Sequence, residues 1–145
     1  MIGLDRDKSN VLLLSISQGL FMTTSIIGIA FGGLTGAMLA EDKSWATLPT
    51  FFTVVGGAVA TIPASYLMAR LGRRNGFLIG VVAGIISGLI GVYAIYQGSL
   101  ALFCVGHFFQ GLYRAVAQYY RFAATDSSPP SFHGRAIAYV LAGGV

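Results

Sequence analysis

Charge is what this 145-residue sequence has least of. Asp, Glu, Lys and Arg make up 10% of it, against 55% hydrophobic residues, where soluble domains carry roughly 25% charged residues. Three stretches, 9–40, 44–69 and 75–113, contain none of the four. That excludes water as the solvent for most of the surface. Each stretch is long enough for a bilayer crossing, which takes about 20 apolar residues. The third is too long for a single crossing, since at ~1.5 Å per residue it would reach about 60 Å. It has to reverse, and the Tyr-Gln-Gly-Ser at 96–99 is the corner. Cysteine is nearly absent as well. Cys104 stands alone, so an intrachain disulfide is excluded and the redox compartment is not encoded. Acids are scarce, and none of the five lies inside a complete span.

The spans expected from this pattern are 10–39, 46–69, 75–96, 100–124 and 135–145. The fold class is all-α: a polytopic membrane protein. The last run is too short to cross, and the chain reads as cut inside its fifth helix. Threading the helices alternately sorts the cations. Arg6, Lys8, Arg70, Arg73, Arg74, Arg121 and Arg135 fall on one side and Lys43 alone on the other. Lys and Arg accumulate in cytoplasmic loops, so the N-terminus is expected in the cytoplasm, with Trp45 as an interfacial anchor on the far side. The start, Met-Ile-Gly-Leu-Asp-Arg-Asp-Lys, is not a cleavable signal, because the apolar run after it far exceeds a signal h-region. The formal charge of +4 does not point to nucleic acid, since the basic residues sit at the ends of apolar runs rather than on a soluble face.

Glycines at 28, 32 and 36, and at 76, 80, 84 and 88, recur every fourth residue. That spacing puts small residues on one helix face, where two backbones can approach closely in lipid. Pro63 removes one backbone hydrogen bond from the second span and is expected to kink it.

Arg114 is the anomaly. It falls near the middle of the 100–124 span, where a charge costs several kcal/mol even on lenient scales. It should therefore face a watery cavity or a buried partner. Arg121, seven residues on, is near the cytoplasmic end, where its side chain can snorkel to the headgroups. In a continuous helix His107, Arg114 and Arg121 share one face, with Gln110 and Gln118 on or beside it, while Phe108, Leu112 and Ala115 form an apolar flank. Gln18 and Ser25 share a face of the first span. These polar residues form the candidate cavity set for a small solute, anionic or polar. Ser and Thr bonding back to their own helix is the alternative for hydroxyls. His107 is the one group in the complete spans through which proton coupling could run, its type titrating near neutral pH; a buried, hydrogen-bonded structural histidine is the competing reading.

The stretch 65–74, Ser-Tyr-Leu-Met-Ala-Arg-Leu-Gly-Arg-Arg, resembles the loop between helices 2 and 3 of the major facilitator superfamily, whose pattern is G-x-L-A-D-R-x-G-R-R. Leu67, Arg70, Gly72, Arg73 and Arg74 match. Ser65 replaces the pattern's Gly and Ala69 its Asp, the acid that in the family helps lock the cytoplasmic side. Gln110 and Gly111 resemble the R-x-x-Q-G of helix 4, with His107 in the arginine's place. Gly134, Arg135 and Ala136, after a proline-containing loop that begins beyond Asp126, resemble the entry to helix 5. The segment from Gln118 to Gly144 is also similar to a bacterial branch that includes proposed riboflavin carriers.

The resemblance implies the first third of a twelve-helix carrier working by alternating access in the bacterial inner membrane, with a C-terminal bundle outside this sequence as partner. It makes Arg70, Gly72, Arg73 and Arg74 a conformational gate loop, with Asp126 and Arg135 in the helix 4–5 loop, and it lines the pathway with helices 1 and 4. An oligomeric small exporter would need a carboxylate in its first helix, and 9–40 has none. An enzyme is not expected, because His107 and His133 lie at different depths and leave neither a triad nor a metal set. No metal or cofactor is called for. A non-catalytic membrane scaffold is the remaining alternative.

Overall fold

The structure, a computed structural model, describes residues 2–126 and 133–144, with side chains from residue 9 onward. The proline-containing loop at 127–132 and the side chains of Arg6 and Lys8 lie outside the described residues. Among the described residues six α-helices follow in order: α1 (Ile2–Leu39), α2 (Leu48–Leu71), α3 (Arg73–Gln97), α4 (Leu100–Ala117), α5 (Tyr120–Asp126) and α6 (His133–Ala142). Among the described residues there is no strand. Four segments of the described residues are long and apolar enough to cross a membrane: Ser9–Leu39, Lys43–Leu71, Arg73–Gln97 and Leu100–Asp126. Leu12, Ile16, Leu20, Ile26, Ile62, Leu89 and Val92 are among many large apolar side chains left exposed. Hydrocarbon solvates such side chains as well as a protein core does. The chain is an all-α, multi-pass membrane protein.

The connections are short and locally determined. Between α1 and α2, a 3-10 turn at Lys43–Trp45 is capped by Asp42, whose carboxylate accepts the Ser44 N–H at 2.9 Å. The backbone N–H and the hydroxyl of Ser44 hold the Asp42 carboxyl below its usual range. The cap is therefore in place above the ordinary carboxylate pKa and is lost as pH falls through the lowered one. Trp45 ends this turn and is exposed, and α2 opens with Pro49 in its first turn, where a missing N–H is harmless.

A single residue, Gly72, joins α2 to α3, at φ 81° and ψ 158°. That region is essentially closed to residues with a Cβ. Gly98, at φ 65°, ends α3 in the left-handed conformation, the common C-terminal cap. Ser99 then starts the next helix, its hydroxyl accepting the Leu102 N–H at 3.3 Å. The reversal thus lies in the 96–99 corner.

The fourth apolar segment departs from expectation. It is two helices, α4 and α5, parted by a turn at Gln118 and Tyr119. No glycine or proline marks this break, and the apolar pattern runs through it. A continuous stripe from His107 through Arg114 to Arg121 is therefore replaced by a stripe that ends with α4.

The chain divides into two compact units, Met1–Ser25 with Ala117–Val145, and Ile26–Val116. In the first, α1 meets the segment after α6 through glycine. A Cβ on Gly143 would collide with the Ser15 carbonyl, and one on Gly19 would lie 2.5 Å from the Gly143 carbonyl. Val11, Phe21, Tyr120, Ala124, Ala136 and Val140 are buried there. In the second unit, α4 is the central helix. Gly56 of α2 lies against the Phe108 carbonyl, and Gly111 against the Thr53 carbonyl and the Gly57 nitrogen. On α3, Gly80 faces Val116, Gly84 faces Tyr113, and the backbone at Ser87 and Gly91 faces Gly106. Gly76 takes Met68 of α2, whereas Gly88 faces open space. Of the expected four-glycine stripe on α3, Gly76 therefore meets α2, Gly80 and Gly84 meet α4, and Gly88 meets neither, although α3 and α4 are still in backbone contact at Ser87 and Gly91.

Two outcomes follow. Gly56→Ala or Gly111→Ala forces a methyl into a neighbouring backbone and should cost about 1–3 kcal/mol, lowering the melting temperature of detergent-solubilised protein by several degrees, while Gly88→Ala should leave it unchanged. Gly72→Val should cost about 1–3 kcal/mol through backbone strain alone, since nothing lies within 4 Å of a Cβ there. Gly72→Ala should do much the same despite its size, and equal melting of both variants with wild type would contradict it.

Candidate functional site

Several hydroxyls of α1 and α2 close on their own helices. Ser15, Ser17, Thr23 and Thr24 of α1 donate to carbonyls three or four residues back, and so do Thr53 and Thr61 of α2. Such bonds satisfy a hydroxyl in hydrocarbon without a partner helix. Polar groups that also reach a neighbouring helix stand out against them.

His107 and Gln110 are the clearest. Both project from α4 toward α1, one turn apart, and each is received by a glycine. A Cβ on Gly32 would lie 2.8 Å from His107 Nε2, and a Cβ on Gly28 would run into the Gln110 amide. Glycines spaced by four on α1 therefore match polar residues spaced by three on α4. The His107 ring packs on Phe103, centroids 4.4 Å apart, and its Nδ1 is 3.1 Å from the Phe103 carbonyl. A carbonyl only accepts, so Nδ1 donates there when it carries the ring proton, and the Gly28 carbonyl of α1 is a second acceptor beside the ring. The residue is 7% exposed, and its Nε2 is fully buried without a hydrogen-bond partner. Gln110 is half-buried and Arg114, one turn further along α4, is exposed. Cys104 is buried one turn before His107. Among the described residues no three His, Cys, Asp or Glu side chains could hold a metal ion together.

The other expected cavity residues belong to the other unit. Gln18 lies on α1 with its Cγ beside Gly144, and Ser25 is half-buried at the end of that part of α1. Gln118 is exposed in the turn between α4 and α5. Arg121 is exposed and sits over the Phe122 ring at 5.0 Å. Around Gly72, Arg70 stacks on Tyr66 at 4.4 Å, Arg73 is half-buried, and Arg74 is exposed. Asp126 closes α5 and Arg135 is exposed in the first turn of α6. The structure thus brings His107 and Gln110 together on one seam, with Arg114 on the same helix, and distributes the rest. The role of Gly28 and Gly32 as receivers of polar side chains was not read from sequence, where they counted only as a packing stripe. The His-x-x-Gln on a facing helix is the signal that could have shown it.

The chain has the build of a multi-pass membrane protein with a polar seam inside it. No protein-family model matches it, and no solved structure does. Among curated proteins it is 37% identical over 138 residues to the riboflavin transporter RfnT of Brucella anthropi. The match takes in 95% of this chain and 35% of that protein, so the chain spans about a third of the length of the curated relative it matches.

Proposed function

We propose that the chain is part of a secondary carrier of the major facilitator type, which moves a small polar solute of the riboflavin kind across the membrane by alternating access. Its N-terminus lies in the cytoplasm, and the bilayer is a bacterial inner membrane. A further bundle of the same protein supplies the other cavity wall. The observation that carries the reading is Arg114. It is the fifteenth residue of the 27-residue apolar segment Leu100–Asp126, exposed on α4 one turn past Gln110. On a lipid-facing surface such a guanidinium costs about 2.5–3.5 kcal/mol, so its face of α4 is water-lined. A water-lined face at mid-depth, beside a histidine and a glutamine, is what a translocation path for a polar solute requires. The similarity to a riboflavin transporter over nearly the whole chain supports the same reading. The loop at Gly72 acts as the gate, its one-residue connection obliging α2 and α3 to move together.

The test is uptake of radiolabelled riboflavin into proteoliposomes containing the full-length gene product. Arg114→Ala should insert normally and lower uptake at least tenfold, equivalent to about 1.4 kcal/mol. Arg114→Lys should recover little, since an ammonium does not reproduce the planar fork of a guanidinium. Arg121→Lys should be close to wild type, because either side chain reaches the headgroups. An active Arg114→Ala beside an inactive Arg121→Lys would overturn the assignment of the water-lined face.

A further inference from the structure

The connection between α2 and α3 gathers cations far from any acid of their own unit. Gly72 is the single residue between two membrane-crossing segments, Lys43–Leu71 and Arg73–Gln97. Arg70, Arg73 and Arg74 flank it, so their guanidiniums stand at the level of the lipid headgroups. No Asp or Glu occurs anywhere from 43 to 125. The two acids of the 26–116 unit, Glu41 and Asp42, precede α2 and lie a full crossing away. The helix ends do not account for the cluster either. One terminal carbonyl of α2, that of Leu71, accepts the Asn75 side-chain amide at 2.9 Å. Arg73 and Arg74 stand in the first turn of α3, where cations oppose the helix dipole and acids are preferred. That turn holds no acid.

Arg70 and Arg74 are exposed, whereas Arg73 is half-buried. The Arg70 guanidinium lies over the Tyr66 ring at 4.4 Å, and that ring is itself exposed. Stacking occupies a face of the guanidinium. Its N–H edge, which can grip a phosphate through two parallel hydrogen bonds, stays open. Apolar surface continues beneath both cations. Ile62 lies one turn before Tyr66 on α2 and Leu78 one turn after Arg74 on α3, and both are exposed. We propose that Arg70 and Arg74, with the Tyr66 ring, form a binding surface for the phosphate of an anionic phospholipid, whose acyl chains run along Ile62 and Leu78. A zwitterionic headgroup brings its own cation to a place that already holds three, so the surface selects a net-negative lipid. The lipid supplies the negative charge that Ala69 and its neighbours do not. The inference needs only that the chain spans a membrane, and it stands whether or not the chain is a carrier.

Inorganic phosphate, an acid elsewhere in the protein and the general attraction of interfacial cations for anionic lipid are the rival explanations, and one experiment separates them. The full-length gene product in neutral detergent is titrated with phosphatidylglycerol, with phosphatidylcholine of the same acyl chains, and with inorganic phosphate. Bound lipid is counted by native mass spectrometry. Wild type should take up phosphatidylglycerol at a concentration at least about tenfold below phosphatidylcholine, since each surface guanidinium is worth about fivefold for an anionic lipid. Combining Arg70→Gln with Arg74→Gln should abolish that preference and leave phosphatidylcholine binding unchanged. Arg121→Gln removes an interfacial cation from α5 and should keep the preference. If the double variant does not fold, Arg74→Gln alone should narrow the preference about fivefold, and an unchanged preference there overturns the proposal. No preference in wild type overturns it as well and leaves an acid elsewhere in the protein as the partner. Equal loss in Arg121→Gln and in the double variant would mean general interfacial charge, with the same consequence. Displacement of phosphatidylglycerol by inorganic phosphate would mean a free-anion site and also overturns it.

Discussion

Backbone contact through glycine is the constraint on which the 26–116 unit depends. In water, helices associate because their apolar faces leave the solvent. In hydrocarbon that gain is absent, because lipid tails are as apolar as leucine, and close van der Waals contact has to hold helices together. The unit is accordingly organised about α4, with Gly111 against the Thr53 carbonyl, Gly56 against the Phe108 carbonyl and Gly106 against the α3 backbone. Large apolar residues point outward instead. This inverts a soluble core, where bulky side chains occupy the middle and glycine is a weakness.

The same constraint decides where polar groups can stand. A hydroxyl in an apolar helix satisfies itself on a carbonyl three or four residues back, as Ser15, Thr23 and Thr61 do. Histidine can do this at one nitrogen only. His107 does so through Nδ1 and leaves Nε2 directed at α1. Arginine carries a fixed charge that such a bond does not neutralise, and Arg114 remains exposed at the middle of its segment. The three side-chain types thus form a series of increasing need for something outside their own helix, and the candidate site lies at the end of that series.

Much of the architecture could be read from the chain. Uncharged runs separated by charges gave the helices, because a bilayer tolerates little else over that length. Gly98 and Ser99 marked the corner between α3 and α4, since a left-handed cap and an N-terminal hydroxyl are local requirements. Gly72 was marked as a turn for the same reason. Other features were not legible. The break at Gln118 and Tyr119 carries neither glycine nor proline and preserves the apolar pattern. Gly88 continues the spacing but faces open space, while Ser87 and Gly91 beside it make the contact with α4. The six expected cavity residues divide between the two units, His107, Gln110 and Arg114 in one and Gln18, Ser25 and Gln118 in the other. A helical period assigns residues to a face but does not say which neighbour, if any, that face meets.

The sequence by itself therefore determined the solvent, the helical class, the turn positions and the anomalous arginine. Each follows from a local or additive property: transfer energy, backbone conformation, the cost of a charge. Tertiary structure alone decided that the α1 glycines receive His107 and Gln110 rather than another backbone, and that His107 keeps one nitrogen without a partner. Those outcomes depend on how closely two helices far apart in sequence approach, and on the register at which they meet. Neither quantity is a sum over residues, so neither is written in either helix alone.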